Sequence, residues 1–242
     1  MKITEKLAKK AKNNWDYEGV TIAFLGDSVT QGCFEIYRES EDSINTIFDK
    51  NYAYHSYFAR IMAMLYPSVP VNIINAGISG GSAPHALERL DRDVLKHAPD
   101  LTVVCFGLND CGNGSEGLDN YVNALDQIFT KLQEAESEII FMTPNMMATH
   151  VSCHITDSIG LEIAKNISRS QNEGILEMYL NAAKELCQNR GITICDCYEK
   201  WKKLYAHGVN VTELLSNKLN HPTREMNWLF AISLTETIMT EL

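Results

Sequence analysis

The chain has 242 residues, 45% of them hydrophobic, and a net charge of −10. That size and apolar share suit one α/β domain over residues 1–242 with a substantial core. An acidic balance with no block of Lys or Arg excludes a duplex-binding surface, so no nucleic-acid partner is expected.

No apolar run reaches membrane-spanning length, and residues 1–7 lack the apolar centre of a secretion signal. The seven cysteines are scattered, odd in number and form no CxxC pair. No membrane partner is expected, and reduced thiols in a cytoplasm are the simplest reading.

Residues 1–15 form a lysine-rich helical lead-in with Ile3, Leu7 and Ala8 on its apolar side. Residues 20–25 are an uninterrupted apolar run, hence a buried strand. Residues 33–51 read as a long acidic connection carrying Phe34, Tyr37, Ile44 and Phe48, of a length that suggests a cover for a site. Residues 52–65 have helical period, residues 71–75 are a second strand, and Pro84 fits the first turn of the following helix. A third apolar strand spans 101–106. The clearest helix spans 118–135, with Tyr121, Leu125, Ile128 and Leu132 in register. A fourth strand at 138–143 leads through a loop to a helical region ending at 189, interrupted at Gly174. The fifth strand is 192–195, followed by a short helix at 198–205, a loop at 217–222 and a final helix at 223–239. Strands alternating with helices argue for a parallel sheet covered on both faces.

Polar residues gather at the turns. Gly26-Asp27-Ser28 closes the first strand, Asn75 to Gly80 the second, and Gly107-Leu108-Asn109-Asp110 the third. In a parallel sheet these three turns share the carboxyl edge, where open α/β sheets bind ligands. A serine there needs a base, and His221 is the candidate. Backbone N–H groups of Ser28 and Gly80 and the side-chain amide of Asn109 are candidate donors to an oxyanion. Asp27 reads as a turn acceptor and Asp110 as a helix N-cap.

These three turns together with His221-Pro222, in this order and spacing, resemble the signature of the SGNH/GDSL hydrolases. Residues 26–35, Gly-Asp-Ser-Val-Thr-Gln-Gly-Cys-Phe-Glu, resemble bacterial carbohydrate esterase-like members. The resemblance implies a three-layer α/β/α flavodoxin-like fold with five parallel strands in the order 2-1-3-4-5. It also implies Ser28 as nucleophile, His221 as base and an oxyanion hole of Ser28, Gly80 and Asn109. The implied substrate is a small, acetyl-type ester on a carbohydrate, and no cofactor is needed; no metal is expected. Lipid or thioester substrates are the alternatives within the enzyme class. A carbohydrate-binding module on a decayed hydrolase scaffold is the alternative outside it.

One position departs from the pattern. Three residues before the histidine the family carries Asp, and this chain has Lys218. Asn217 and Lys218 are therefore candidates for orienting the ring through a neutral oxygen of the 217–220 loop, with Asp196 a distant substitute. Without a carboxylate the imidazolium is less stabilised.

Three rival features remain. Gly77-Ile78-Ser79-Gly80-Gly81 matches a nucleophile elbow and would make Ser79 the nucleophile. His150, Cys153 and His154 have the spacing of a metal pair on a helix, in a region that reads as loop. Cys33 and Cys111 fall close to the site in sequence, and Phe34, Tyr37 and Met147 are candidates for an acyl or sugar surface.

Overall fold

The computed structural model describes residues 1–38, 40 and 43–240. Helix α1 (Lys2–Lys12) lies at the amino-terminal edge of the sheet. There the Glu138 carboxylate accepts the N–H groups of Lys2 and Ile3, satisfying two donors that a helix start leaves open. Strand β1 (Val20–Gly26) follows and leads directly into a single helical turn, α2 (Ser28–Gln31).

The stretch read as a connection contains a two-stranded antiparallel hairpin, β2 (Cys33–Arg38) and β3 (Ile44–Phe48). Glu39, Glu41 and Asp42 of that stretch lie outside the described residues. The hairpin stands apart from the main sheet, and its ladder shifts register between Cys33 and Ile36.

Helix α3 (Tyr54–Leu65) leads to β4 (Val71–Gly77), α4 (Ala83–Asp93) to β5 (Leu101–Cys105), and α5 (Leu118–Glu134) to β6 (Glu138–Met142). Helices α6 (Ser158–Asn172) and α7 (Ile175–Arg190) are separated at Gly174, which takes φ +76°. That left-handed backbone costs glycine nothing and breaks the helix. Strand β7 (Thr193–Cys195), α8 (Cys197–Ala206) and α9 (Asn227–Thr240) complete the fold.

The five parallel strands run in the order β4-β1-β5-β6-β7. Counted along the chain without the hairpin, this is the expected 2-1-3-4-5 order. Helices α3 and α9 pack together on one face, while α4, α5, α6 and α7 form a continuous layer on the other. Every residue of β5 is buried, and β1 is buried except at Thr21. That explains why both read as unbroken apolar runs rather than alternating ones. Each large side chain sealed between the layers, such as Phe24, Phe141 or Leu125, contributes about 1.5–3 kcal/mol of burial.

The last helix starts at Asn227, later than its apolar pattern suggests. Pro222 is held in a bridge to Leu215, and residues 224–226 turn before the helix begins.

Candidate active site

Strand register assembles the site's floor. Gly26 at the end of β1 lies opposite Gly77 of β4 and Cys105 of β5. All three strands therefore end at one level, at the point where the chain reverses its direction of travel across the sheet. Helix α2 sits almost on the strand ends. A Cβ on Gly26 would fall 2.0 Å from Thr30 Oγ1, and one on Gly77 would fall 2.2 Å from Gln31 N. Only glycine permits this approach, and it brings Ser28, the first residue of α2, over the strand edge. Asp27 caps the turn by accepting the Val29 N–H at 2.9 Å. From below, the buried Arg89 guanidinium donates to the carbonyls of Gly26 and Ala76, at 2.9 and 2.7 Å.

The loop carrying His221 is held through its backbone N–H and carbonyl groups. Asn217 Oδ1 accepts the N–H groups of Leu219, Asn220 and His221, each at 3.0 Å. The Leu219 and Asn220 carbonyls accept from Ala148 N–H and Asn145 Nδ2. Lys218 takes φ +57°, and its Nζ lies 2.8 Å from Glu213 Oε2. Neither Asn217 nor Lys218 bonds the imidazole: Asn217 shapes the loop, and Lys218 turns to Glu213.

Ser28 Oγ and His221 Nε2 are 2.8 Å apart, and both residues are buried. The other ring nitrogen, Nδ1, lies 3.0 Å from the Phe34 carbonyl. The acceptor is thus a neutral oxygen, but one from β2 rather than from the 217–220 loop. It sits where the hairpin ladder shifts register, at a residue left out of the strand pairing. A carbonyl only accepts, so Nδ1 carries the proton and Nε2 of the neutral ring is free to accept from the serine hydroxyl. Burial pushes the imidazole down to about 4, against the opposing pull of the Phe34 carbonyl and the Glu35 charge. The ring is neutral at pH 7.

Ser28, Gly80, Asn109 and His221 line one cavity of about 530 Å³. Gly80 takes φ +74°. Among the described residues, the N–H groups of Ser28 and Gly80 have no protein acceptor. Asn109 Nδ2 spends one N–H on the Gly81 carbonyl at 2.8 Å, which leaves its second free. Asp110 is not the cap of its own segment. Its carboxylate accepts the Ala83 N–H at the start of α4 and the Gly107 N–H, at 2.8 and 3.1 Å, tying the Gly80 turn to the Asn109 turn. Burial raises Asp27 to about 7, with the Asp110 charge adding to it, and burial raises Asp110 to about 6.

Other sequence candidates fall elsewhere. Asp196 caps α8 and bonds Thr143 and Lys184. Ser79 lines the cavity, but no histidine bonds it among the described residues. His150 contacts Thr212, His154 lines the cavity, and no group of three or more His, Cys, Asp or Glu side chains among the described residues is arranged to hold a metal. Cys33 and Cys111 are buried off the cavity, with burial raising their thiols to about 12 and about 11. Tyr37 lines the cavity, whereas Phe34 and Met147 are packed inside. No sequence signal marked the Phe34 carbonyl or Arg224, which holds Glu35 and Asp49.

A serine bonded to a histidine, beside open N–H groups at the carboxyl edge of a parallel sheet covered on both faces, marks a three-layer α/β protein with a candidate hydrolase site. The chain belongs to the GDSL-like lipase/acylhydrolase family, whose model matches residues 24–229. It is 27% identical over 135 residues to an acetylxylan esterase of Geobacillus stearothermophilus, a match covering 52% of this chain and 60% of that relative. The crystal structure of the acetylxylan esterase Axe2 from the same organism superposes with a TM-score of 0.68 at 19% identity, covering 93% of this chain and 96% of that one. A gut microbial diltiazem-metabolizing enzyme gives a TM-score of 0.68 at 18% identity, over 91% of this chain and 47% of the other. Among the described residues, no helix is long and apolar enough to cross a membrane.

Proposed function

We propose that this chain is a serine esterase that removes small acyl groups, acetyl foremost, from a carbohydrate alcohol, with residues 1–242 acting as one domain and without a cofactor. The observation that carries this reading is the 2.8 Å contact from Ser28 Oγ to His221 Nε2, with Nδ1–H committed to Phe34. The family and the acetylxylan esterase relative support the substrate class. The unpaired cysteines fit a reducing compartment such as the cytoplasm.

In this reading Ser28 Oγ attacks the acyl carbon as His221 Nε2 takes its proton. The carbonyl oxygen becomes an oxyanion, met by the N–H groups of Ser28 and Gly80 and the Asn109 amide. His221 then returns the proton to the leaving alkoxide, and the acyl group stays on Ser28. Water, deprotonated by the same ring, attacks the acyl carbon; the bond to Ser28 Oγ breaks, the ring returns its proton to Oγ, and the acid leaves.

A longer acyl group is the second reading, favoured by Ile36, Ile44, Ile155, Ile163 and Ile167 in the cavity wall. A fluorophosphonate should label the parent protein and not Ser28→Ala. Acetate release from an acetylated xylo-oligosaccharide, compared with aryl butyrate and octanoate, separates the two substrate readings. Absence of both labelling and turnover sinks the esterase and leaves a binding module.

A further inference from the structure

The histidine lacks its customary aspartate, yet charge reaches it from another direction. Arg224 lies just beyond His221 on the same loop. Its Nη1 and Nη2 donate to the two oxygens of Glu35, at 2.6 and 3.1 Å, and its Nε donates to Asp49 Oδ2 at 3.2 Å. The guanidinium carbon also stands 4.4 Å from the centre of the Phe34 ring. Phe34 is therefore held twice, its ring beneath Arg224 and its carbonyl on His221 Nδ1.

Glu35 belongs to β2, and Asp49 follows β3 and returns to the body through its N–H on the Gly32 carbonyl. One guanidinium thus joins both legs of the hairpin to the histidine loop. Bidentate pairing fixes orientation as well as distance. Isolated surface ion pairs are worth little. This one is partly buried and continuous, through a single residue, with the base. Two carboxylates against one guanidinium leave one surplus negative charge, and Glu35 lines the cavity that His221 lines.

We propose that Glu35, Asp49 and Arg224 act together in place of the triad aspartate: Arg224 fixes the strand whose Phe34 carbonyl orients the imidazole, and the surplus negative charge stabilises the imidazolium formed during acyl transfer. These are positioning residues, and the inference rests on the reading of Ser28 and His221 as nucleophile and base. Other charged groups at the cavity are Arg38, paired with Asp157, Lys218, paired with Glu213, and His154. Of these charges, Glu35 is the one that favours the protonated imidazole.

The test has a charge arm and a geometry arm, both on the full chain. Asp49→Asn keeps an oxygen for Arg224 Nε and removes only the surplus charge. Its kcat on an aryl acetate should fall about 3-fold, and that of Glu35→Gln about 10-fold. KM and Tm should be nearly unchanged, and both losses are far below the ~10⁴-fold cost of neutralising a triad aspartate in direct contact. The low-pH limb of kcat/KM should move to lower pH in both. If Glu35→Gln does not fold, Asp49→Asn decides this arm.

For geometry, the downfield proton resonance of His221 Nδ1–H should be present in the parent, lost or exchange-broadened in Arg224→Met, and restored in Arg224→Lys. Both charge variants within 2-fold of the parent, or an unchanged resonance in Arg224→Met, overturns the proposal. A parent protein without turnover fails the esterase reading instead, and the resonance, which needs no substrate, still decides this one.

Discussion

The sheet edge and the hairpin hold the two nitrogens of His221 by different means. On the Nε2 side, Ser28 stands on strand ends that leave no room for a Cβ at Gly26 or Gly77, braced from below by Arg89. On the Nδ1 side, the Phe34 carbonyl comes from a two-stranded ribbon outside the main sheet. That ribbon's outer residues Tyr37 and Ile44 are 57% and 56% exposed. Ser28 sits at the sheet edge, and the oxygen that meets Nδ1 sits on the added ribbon. An aspartate can be lost from the histidine loop without leaving Nδ1–H unsatisfied, because a separate element supplies the acceptor.

The comparison breaks most visibly at the histidine itself. His221→Ala should lower kcat by about 10⁴- to 10⁶-fold, as for loss of a base that works as a unit with its nucleophile. The fold should survive, since Asn217 and Ser216 hold the loop through backbone groups. Steady-state turnover beside a circular dichroism melt checks both. At the sheet edge, Asn109→Ala should cost about 10²- to 10³-fold in kcat, by analogy with loss of one oxyanion donor. KM should barely move, because the missing donor serves the transition state more than the ground state. An equal loss in KM would mean that Asn109 binds substrate rather than the oxyanion.

How far the site could be read in sequence follows the same division. Gly26, Ser28, Gly80 and Asn109 are legible because strand ends and tight turns impose residue types at fixed places along the chain. The five-strand order is legible because apolar runs alternate with helical periods. The hairpin was not: residues 33–38 and 44–48 are short, half-exposed and separated by charged residues, so they carry a weak period-two signal. The acceptor for His221 is a main-chain oxygen, which no side-chain pattern marks. Arg224, Glu35 and Asp49 are ordinary charges in sequence and become a cluster only when the loop after Leu215 closes on the hairpin. Asp110 looked like a local cap because sequence shows neighbours along the chain, whereas its partner Ala83 arrives from another helix.

The sheet edge should also cost stability in a pH-dependent way. Burial holds the Asp27 carboxyl up to about 7, against an ordinary value of 3.8. The folded state therefore keeps a proton that the unfolded chain releases. That contribution is fully present below the unfolded value and is lost as pH rises from about 4 through about 7. The upper bound is about 4 kcal/mol. Asp27→Asn keeps an acceptor for Val29 N–H and cannot ionise. Its Tm should fall less than the parent's between pH 5 and pH 8, with about 2–3 kcal/mol of the difference removed. Equal slopes in the two proteins would mean that Asp27 is charged and solvated in the fold.

The smallest effect is the most pointed. Restoring the family pattern with Lys218→Asp should not raise kcat, since Nδ1–H is already bonded to Phe34 and the side chain at 218 leaves the loop toward Glu213. The variant loses an ion pair and sets two carboxylates side by side, while aspartate tolerates the φ of +57° at least as well as lysine. The net cost should be about 1 kcal/mol or less, read as a drop of a few degrees in Tm with turnover within 2-fold of the parent. A 10-fold gain in kcat would mean that the loop can swing an acid under the imidazole, and that the hairpin carbonyl is a placeholder rather than the orienting group.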